Sequence, residues 1–141
     1  MFSGVGLIRA RTIKNQTFYL NEFIKNIENK DDDIFPKEYQ GLEKACEIFD
    51  MILYGAGCFK KKYMHSNAIS MDDYHSLFEL ARVNGLLEDV KDINGLRKKF
   101  VGYKRVIRDI KRNKKIPQEN KEVYEDMKNF LIGYYNVLCF N

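Results

Sequence analysis

Apolar residues recur along this chain at the three- and four-residue spacing of helices, and no stretch shows the period of two that marks a half-buried strand. In residues 8 to 28, Ile8, Leu20, Phe23, Ile24 and Ile27 fall at helical spacing. The polar run NKDDD at 29 to 33 breaks the pattern, and Pro36 stands where a first helical turn tolerates proline. Leu42, Ala45, Cys46, Phe49, Ile52, Leu53 and Ala56 form the stripe of a second helix. Gly55 and Gly57 weaken its far end, which is expected to fray near residue 60. Ser70 and Asp73 are spaced as a capping pair for a third helix carrying Tyr74, Leu77, Phe78 and Ala81, and Asn84-Gly85 is a left-handed stop. A fourth helix spans about 90 to 111. A fifth starts near Pro117 and carries Val123, Met127, Phe130, Leu131, Tyr134, Val137 and Leu138. The expectation is an all-α, five-helix up-and-down bundle forming one domain over residues 1–141.

The fourth helix is two-faced. At about 100° per residue, Leu96, Phe100, Tyr103, Val106, Ile107 and Ile110 share one arc of roughly 120°. The opposite arc holds Arg97, Lys98, Lys104, Arg105, Arg108, Lys111 and Arg112. One acid, Asp109, stands among these bases, with Arg105 four residues before it and Arg112 three after. Local ion pairs with both are therefore expected.

Charge sharpens that picture. The net charge is +4, but residues 97 to 115 hold ten Lys or Arg and one Asp, so this segment carries +9 and the rest of the chain −5. Concentrated charge of this kind suits a polyanion or an acidic partner. Other chemistry is thin. His65 and His75 are the only histidines and lack acidic or cysteine companions at metal-ligand spacing. No Gly-rich phosphate loop and no serine nucleophile elbow occur. Cys46, Cys58 and Cys139 lack the pairing of a disulfide framework or zinc knuckle and read as buried thiols, which suits a reducing cytoplasm. The first six residues are too short for a secretory signal, and no apolar run reaches the roughly 18 residues of a membrane span. The aromatic series Tyr124, Phe130, Tyr134, Tyr135 and Phe140 reads as bundle core.

Three segments carry a family resemblance. GLEKACEIFDMIL (41 to 53) has a Leu-x-x-Ala-x-Glu pattern, DYHSLFELARVNGLL (73 to 87) ends in a Gly-centred turn, and LRKKFVGYKRVIRDI (96 to 110) is the basic helix. Together they resemble the second, third and fourth helices of HEPN domains, in the HepT-like branch encoded beside minimal nucleotidyltransferases. The resemblance implies a homodimeric, metal-independent ribonuclease of a toxin–antitoxin pair, with no cofactor. It implies an Arg and a His, four to six residues apart, that steady phosphate charge and move a proton. Aligned through Gly102-Tyr103, Lys104 takes the Arg position, Arg105 the following Asn, Asp109 the His and Lys111 a Tyr that the nucleotidyltransferase modifies in some pairs. All of these family residues are replaced.

A carboxylate flanked by Arg105, Arg108 and Arg112 is expected to stay ionised, which makes Asp109 a poor general acid. The resemblance thus implies a degenerate ribonuclease site at Lys104 and Asp109, beside a phosphate-binding face of Arg105, Arg108, Lys111 and Arg112. It implies a homodimer through the fourth helix, with Tyr103 and Val106 at the contact, and RNA or a nucleotidyltransferase as partner. Two alternatives stand beside it. One is an active ribonuclease built from Lys104, Arg105, Arg108 and Asp109 with help from His65 or His75. The other is a helical adaptor with no nucleic-acid role.

Overall fold

The computed structural model describes Ile8 and residues 10–28, 39–58, 71–113 and 115–140. The run at 29–33, Pro36, His65 and Ser70 lie outside the described residues, as do the side chains of Ile27, Leu42 and Phe140. Five helices form: α1 Ala10–Glu28, α2 Tyr39–Gly55, α3 Met71–Val83, α4 Ile93–Asn113 and α5 Lys121–Phe140. A 3-10 turn, Gln118–Asn120, follows Pro117 and leads into α5. There is no strand among the described residues, and the chain is the all-α bundle that the periodicity predicts. No helix among them is long and apolar enough to cross a membrane.

The core is built where the helices turn their stripes together. Phe49 of α2 stacks on Phe100 of α4 at 4.9 Å and lies 5.2 Å from Tyr103 and 6.1 Å from Phe130 of α5. Tyr124, Phe130 and Tyr134 are buried as the aromatic series predicts. Val123 departs from its predicted stripe and stands 37% exposed, at the α4 side of α5 beside Gly102. Buried thiols were expected, but Cys46 and Cys58 are half-buried and Cys139, near the end of α5, is exposed.

Polar groups also hold α1 in place. Thr12 and Gln16 sit on its buried face. The Thr12 hydroxyl donates to Asp73 at 2.8 Å, so Asp73 is a buried link from α3 to α1. Gln16 accepts from the Tyr134 hydroxyl at 3.1 Å and donates to the Met51 sulfur at 2.8 Å, joining α5, α1 and α2. Such buried groups are costly unless satisfied, so these bonds fix which helices meet.

Two glycines end helices in the same way. At Gly57, φ is +87°, with Gly57 N–H donating to the Tyr54 carbonyl and Cys58 N–H to Leu53, both at 3.0 Å. At Gly85, φ is +80°, with Gly85 N–H donating to Arg82 at 3.2 Å and Leu86 N–H to Ala81 at 3.0 Å. Each is a Schellman stop. α2 therefore has a defined end at Gly57, and residue 60, where fraying is expected, lies outside the described residues. Gly55 serves a different purpose: a Cβ there would stand 2.0 Å from the Tyr74 carbonyl oxygen, so α2 and α3 approach backbone to backbone.

Candidate nucleic-acid interface

α4 is capped at both ends by its own side chains. Asp92 Oδ1 accepts the Gly95 N–H at 2.8 Å at the start. At the finish the Asn113 amide donates to the Asp109 carbonyl at 2.8 Å, and Lys111 and Arg112 lie in the last turn, where cations favour the helix dipole. Its buried residues are the six predicted: Leu96, Phe100, Tyr103, Val106, Ile107 and Ile110.

The polar remainder divides into three strips, set by α2 on one side and α5 on the other. Toward α2, Arg97 donates to the Cys58 carbonyl at 2.9 Å, and Lys104 makes an ion pair with Asp50. A groove of about 260 Å³ opens on this flank, lined by Cys46, Lys104, Ile107, Arg108 and Lys111. Toward α5, the Asn120 amide donates to Asp109 Oδ2 at 2.9 Å. The Tyr103 hydroxyl donates to Asp126 at 2.5 Å on the same side. Burial, and then the bond to Asp126, push the Tyr103 phenol far up, so it remains a donor. Between the flanks, Lys98, Val101, Arg105, Arg108 and Arg112 run along the exposed ridge at alternating steps of three and four.

Lys104 and Asp109 thus stand on opposite flanks of the helix. At about 100° per residue, five steps carry Asp109 some 140° around from Lys104. Asp109 meets Arg108 Nε at 3.8 Å, and the pairs expected with Arg105 and Arg112 are not formed. The α5 turn supplies a better-placed donor in Asn120. Arg105, Arg108 and Arg112 share the ridge, while Lys111 joins Lys104 and Arg108 along the groove. His75 is exposed on α3, its Nδ1 3.4 Å from the Gly55 carbonyl oxygen, and does not come together with Asp109. Among the described residues, no cluster of three metal-ligating side chains forms.

The contact expected through Tyr103 and Val106 is not available. Both are buried, at 1% and 2% exposure, because they belong to the chain's own core. Lys99 also leaves the basic face. It donates to Asp89 at 2.8 Å and lies 6.0 Å from the rings of Tyr103 and Phe130. Sequence reasoning did not find Asp50 or Asn120, which decide where Lys104 and Asp109 point. Neither carries a local signal, since each acts from another element. No family model matches the chain, and no curated protein or solved structure is detectably similar to it.

Proposed function

We propose that this chain is a HEPN-like protein of the HepT type that binds RNA through the exposed ridge of α4 and does not cut it. One observation carries the reading: Lys98, Arg105, Arg108 and Arg112 project in one line from a helix whose opposite face is packed into the core. From Lys98 to Arg112 that line rises about 21 Å. A row of cations at this spacing follows a phosphate backbone, and phosphate contacts position a strand without reading its sequence.

The lack of cutting follows from the two flanks. Cleavage needs a proton-transfer group and a charge-stabilising group at one phosphate, each within about 3 Å of its atom. Here Lys104 is engaged by Asp50 and Asp109 by Asn120, on opposite sides of the helix. The resemblance adds a homodimer and a minimal nucleotidyltransferase as further partners in a toxin–antitoxin-type pair. Val101, 49% exposed within the ridge, favours a protein surface as the second occupant of the same face.

The test is to incubate end-labelled single-stranded RNA with the full chain and chelator at low salt. The expected result is a shifted band with intact RNA. Free RNA throughout would overturn the binding, and metal-independent fragments lost in Asp109→Asn would overturn the absence of cutting.

A further inference from the structure

α2 and α4 run antiparallel, and two contacts set their register: Arg97 donates to the Cys58 carbonyl, and Lys104 pairs with Asp50. One further turn along each helix brings Cys46 opposite Ile107 and Arg108, where the groove of about 260 Å³ opens. Ile107 is 2% exposed and belongs to the core, so it forms the floor. Cys46, half-buried and packed against the same core, is the wall from α2. Lys104, Arg108 and Lys111 follow one flank of α4 at successive turns and together rise about 10 Å. Long cationic side chains lay their methylene stems on apolar surface and keep their charged ends in water. The groove is therefore an apolar trough with a cationic rim.

The three cations are not equivalent. Lys104 is answered by Asp50, and Lys111 has an interaction of its own. The Arg108 side chain is 63% exposed, and Asp109 Oδ1 stands 3.8 Å from its Nε, beyond hydrogen-bond reach. Its guanidinium fork, which matches a carboxylate with two parallel bonds, is thus uncommitted.

Size and lining select the occupant. The volume lies just under the roughly 300–1,000 Å³ of drug-sized sites, so the ligand is small. A nucleobase suits the lining poorly. Its edges carry donors as well as acceptors, whereas the rim only donates and the Cys46 sulfur is a weak acceptor. A bare inorganic anion would leave the Ile107 floor uncovered and gain nothing from it.

We propose that the α2–α4 groove binds a medium-chain carboxylate, with its head on the Arg108 fork and its apolar tail over Ile107 against Cys46. Head and tail are both needed. The charge places the ligand at the rim, and each methylene that the tail buries tightens binding by up to about fourfold. The site stands whether or not the ridge holds RNA.

Titration calorimetry of the full chain with sodium octanoate tests the site, with amide chemical shifts to locate it. One-to-one, saturable binding is expected, with shifts centred on Cys46, Ile107 and Arg108. Hexanoate, two methylenes shorter, should bind several-fold more weakly. Octylammonium, which keeps the tail and reverses the charge, should not bind, and neither should inorganic phosphate or adenosine. Arg108→Met keeps the stem and removes the fork, and should weaken octanoate by more than about tenfold with helical content unchanged. Cys46→Phe, which fills the trough, should abolish binding; where that variant does not fold, Arg108→Met still decides. No saturable binding, or shifts centred elsewhere, overturns the proposal. Octylammonium binding as well as octanoate, or indifference to Arg108→Met, overturns the role of the fork. Equal affinity for hexanoate and octanoate, or phosphate or adenosine binding as tightly, overturns the ligand class.

Discussion

Asp50 of α2 holds the Lys104 ammonium across the α2–α4 flank, so the cation that the HEPN resemblance sets at an arginine position is already engaged within the chain. The two residues are 54 positions apart in sequence, and both keep partial contact with solvent. Asp50→Asn is expected to cost only about 0.5 kcal/mol of stability, the scale of a partly exposed ion pair. It frees one cation beside the ridge. RNA binding should tighten, and its log–log salt slope should steepen by about 0.7. Urea melts and fluorescence anisotropy measure the two effects; an unchanged slope would mean that Lys104 does not reach the strand.

Gly55→Ala separates packing from propensity. An exposed helical position gains about 1 kcal/mol from this change. Here the new Cβ would lie 2.0 Å from the Tyr74 carbonyl oxygen, and backbone must move. A net loss of about 3 kcal/mol is expected, the upper range of overpacking. Gly57→Ala meets open space but keeps a φ of +87°, so it should cost about 1 kcal/mol. Equal losses in urea would contradict the close approach of α2 and α3.

How much could be read from the chain divides along physical lines. The inward face of α4 was legible, because burial against a core imposes a period and all six predicted residues obey it. The Asn84-Gly85 stop was legible because left-handed backbone favours glycine. Gly57 was ambiguous because a glycine near a helix end weakens the helix and can also terminate it cleanly, and only φ distinguishes these. The buried Thr12 and Gln16 were invisible, since polar residues at helical spacing read as surface until their partners on α3 and α5 are known. The same limit applied to the candidate site. A helical wheel puts Lys104 and Asp109 in one polar arc, but which neighbour stands on each flank is a tertiary fact.

The acid limb of the stability profile should report two ion pairs. Hydrogen bonding to Arg82 first of all holds the Glu79 carboxyl below its ordinary range, and bonding to Lys99 does the same for Asp89. A carboxyl that is more acidic folded than unfolded stabilises at pH above its ordinary value and loses that stabilisation as pH falls through its folded value. The double variant Arg82→Met, Lys99→Met should therefore be slightly less stable than wild type at neutral pH, since solvent screens both pairs. That difference should close below about pH 4. A gap that stays constant down to pH 2 in thermal melts would assign the loss to packing of Lys99 instead.

Installing the Arg and His that the HEPN resemblance implies should not produce cleavage. Lys104→Arg with Asp109→His supplies the right chemistry at positions about 140° apart on one helix. Without a shared phosphate, general acid–base help of about 10²–10⁴-fold cannot act. The expected rate on single-stranded RNA is background. A clear gain of metal-independent cleavage would show that the two flanks meet across a second copy.

The salt dependence of RNA binding tests the central claim most directly. Log affinity against log salt, measured by anisotropy for several unrelated single strands, should fall steeply for the wild type. Arg105→Gln with Arg108→Gln should flatten the slope by between about one and two units, at about 0.7 per lost contact. Affinity should fall equally for every sequence, and helical content should not change, because both side chains are exposed. A slope that the double substitution leaves untouched, or the absence of RNA binding even at low salt, would contradict an RNA-binding ridge on α4.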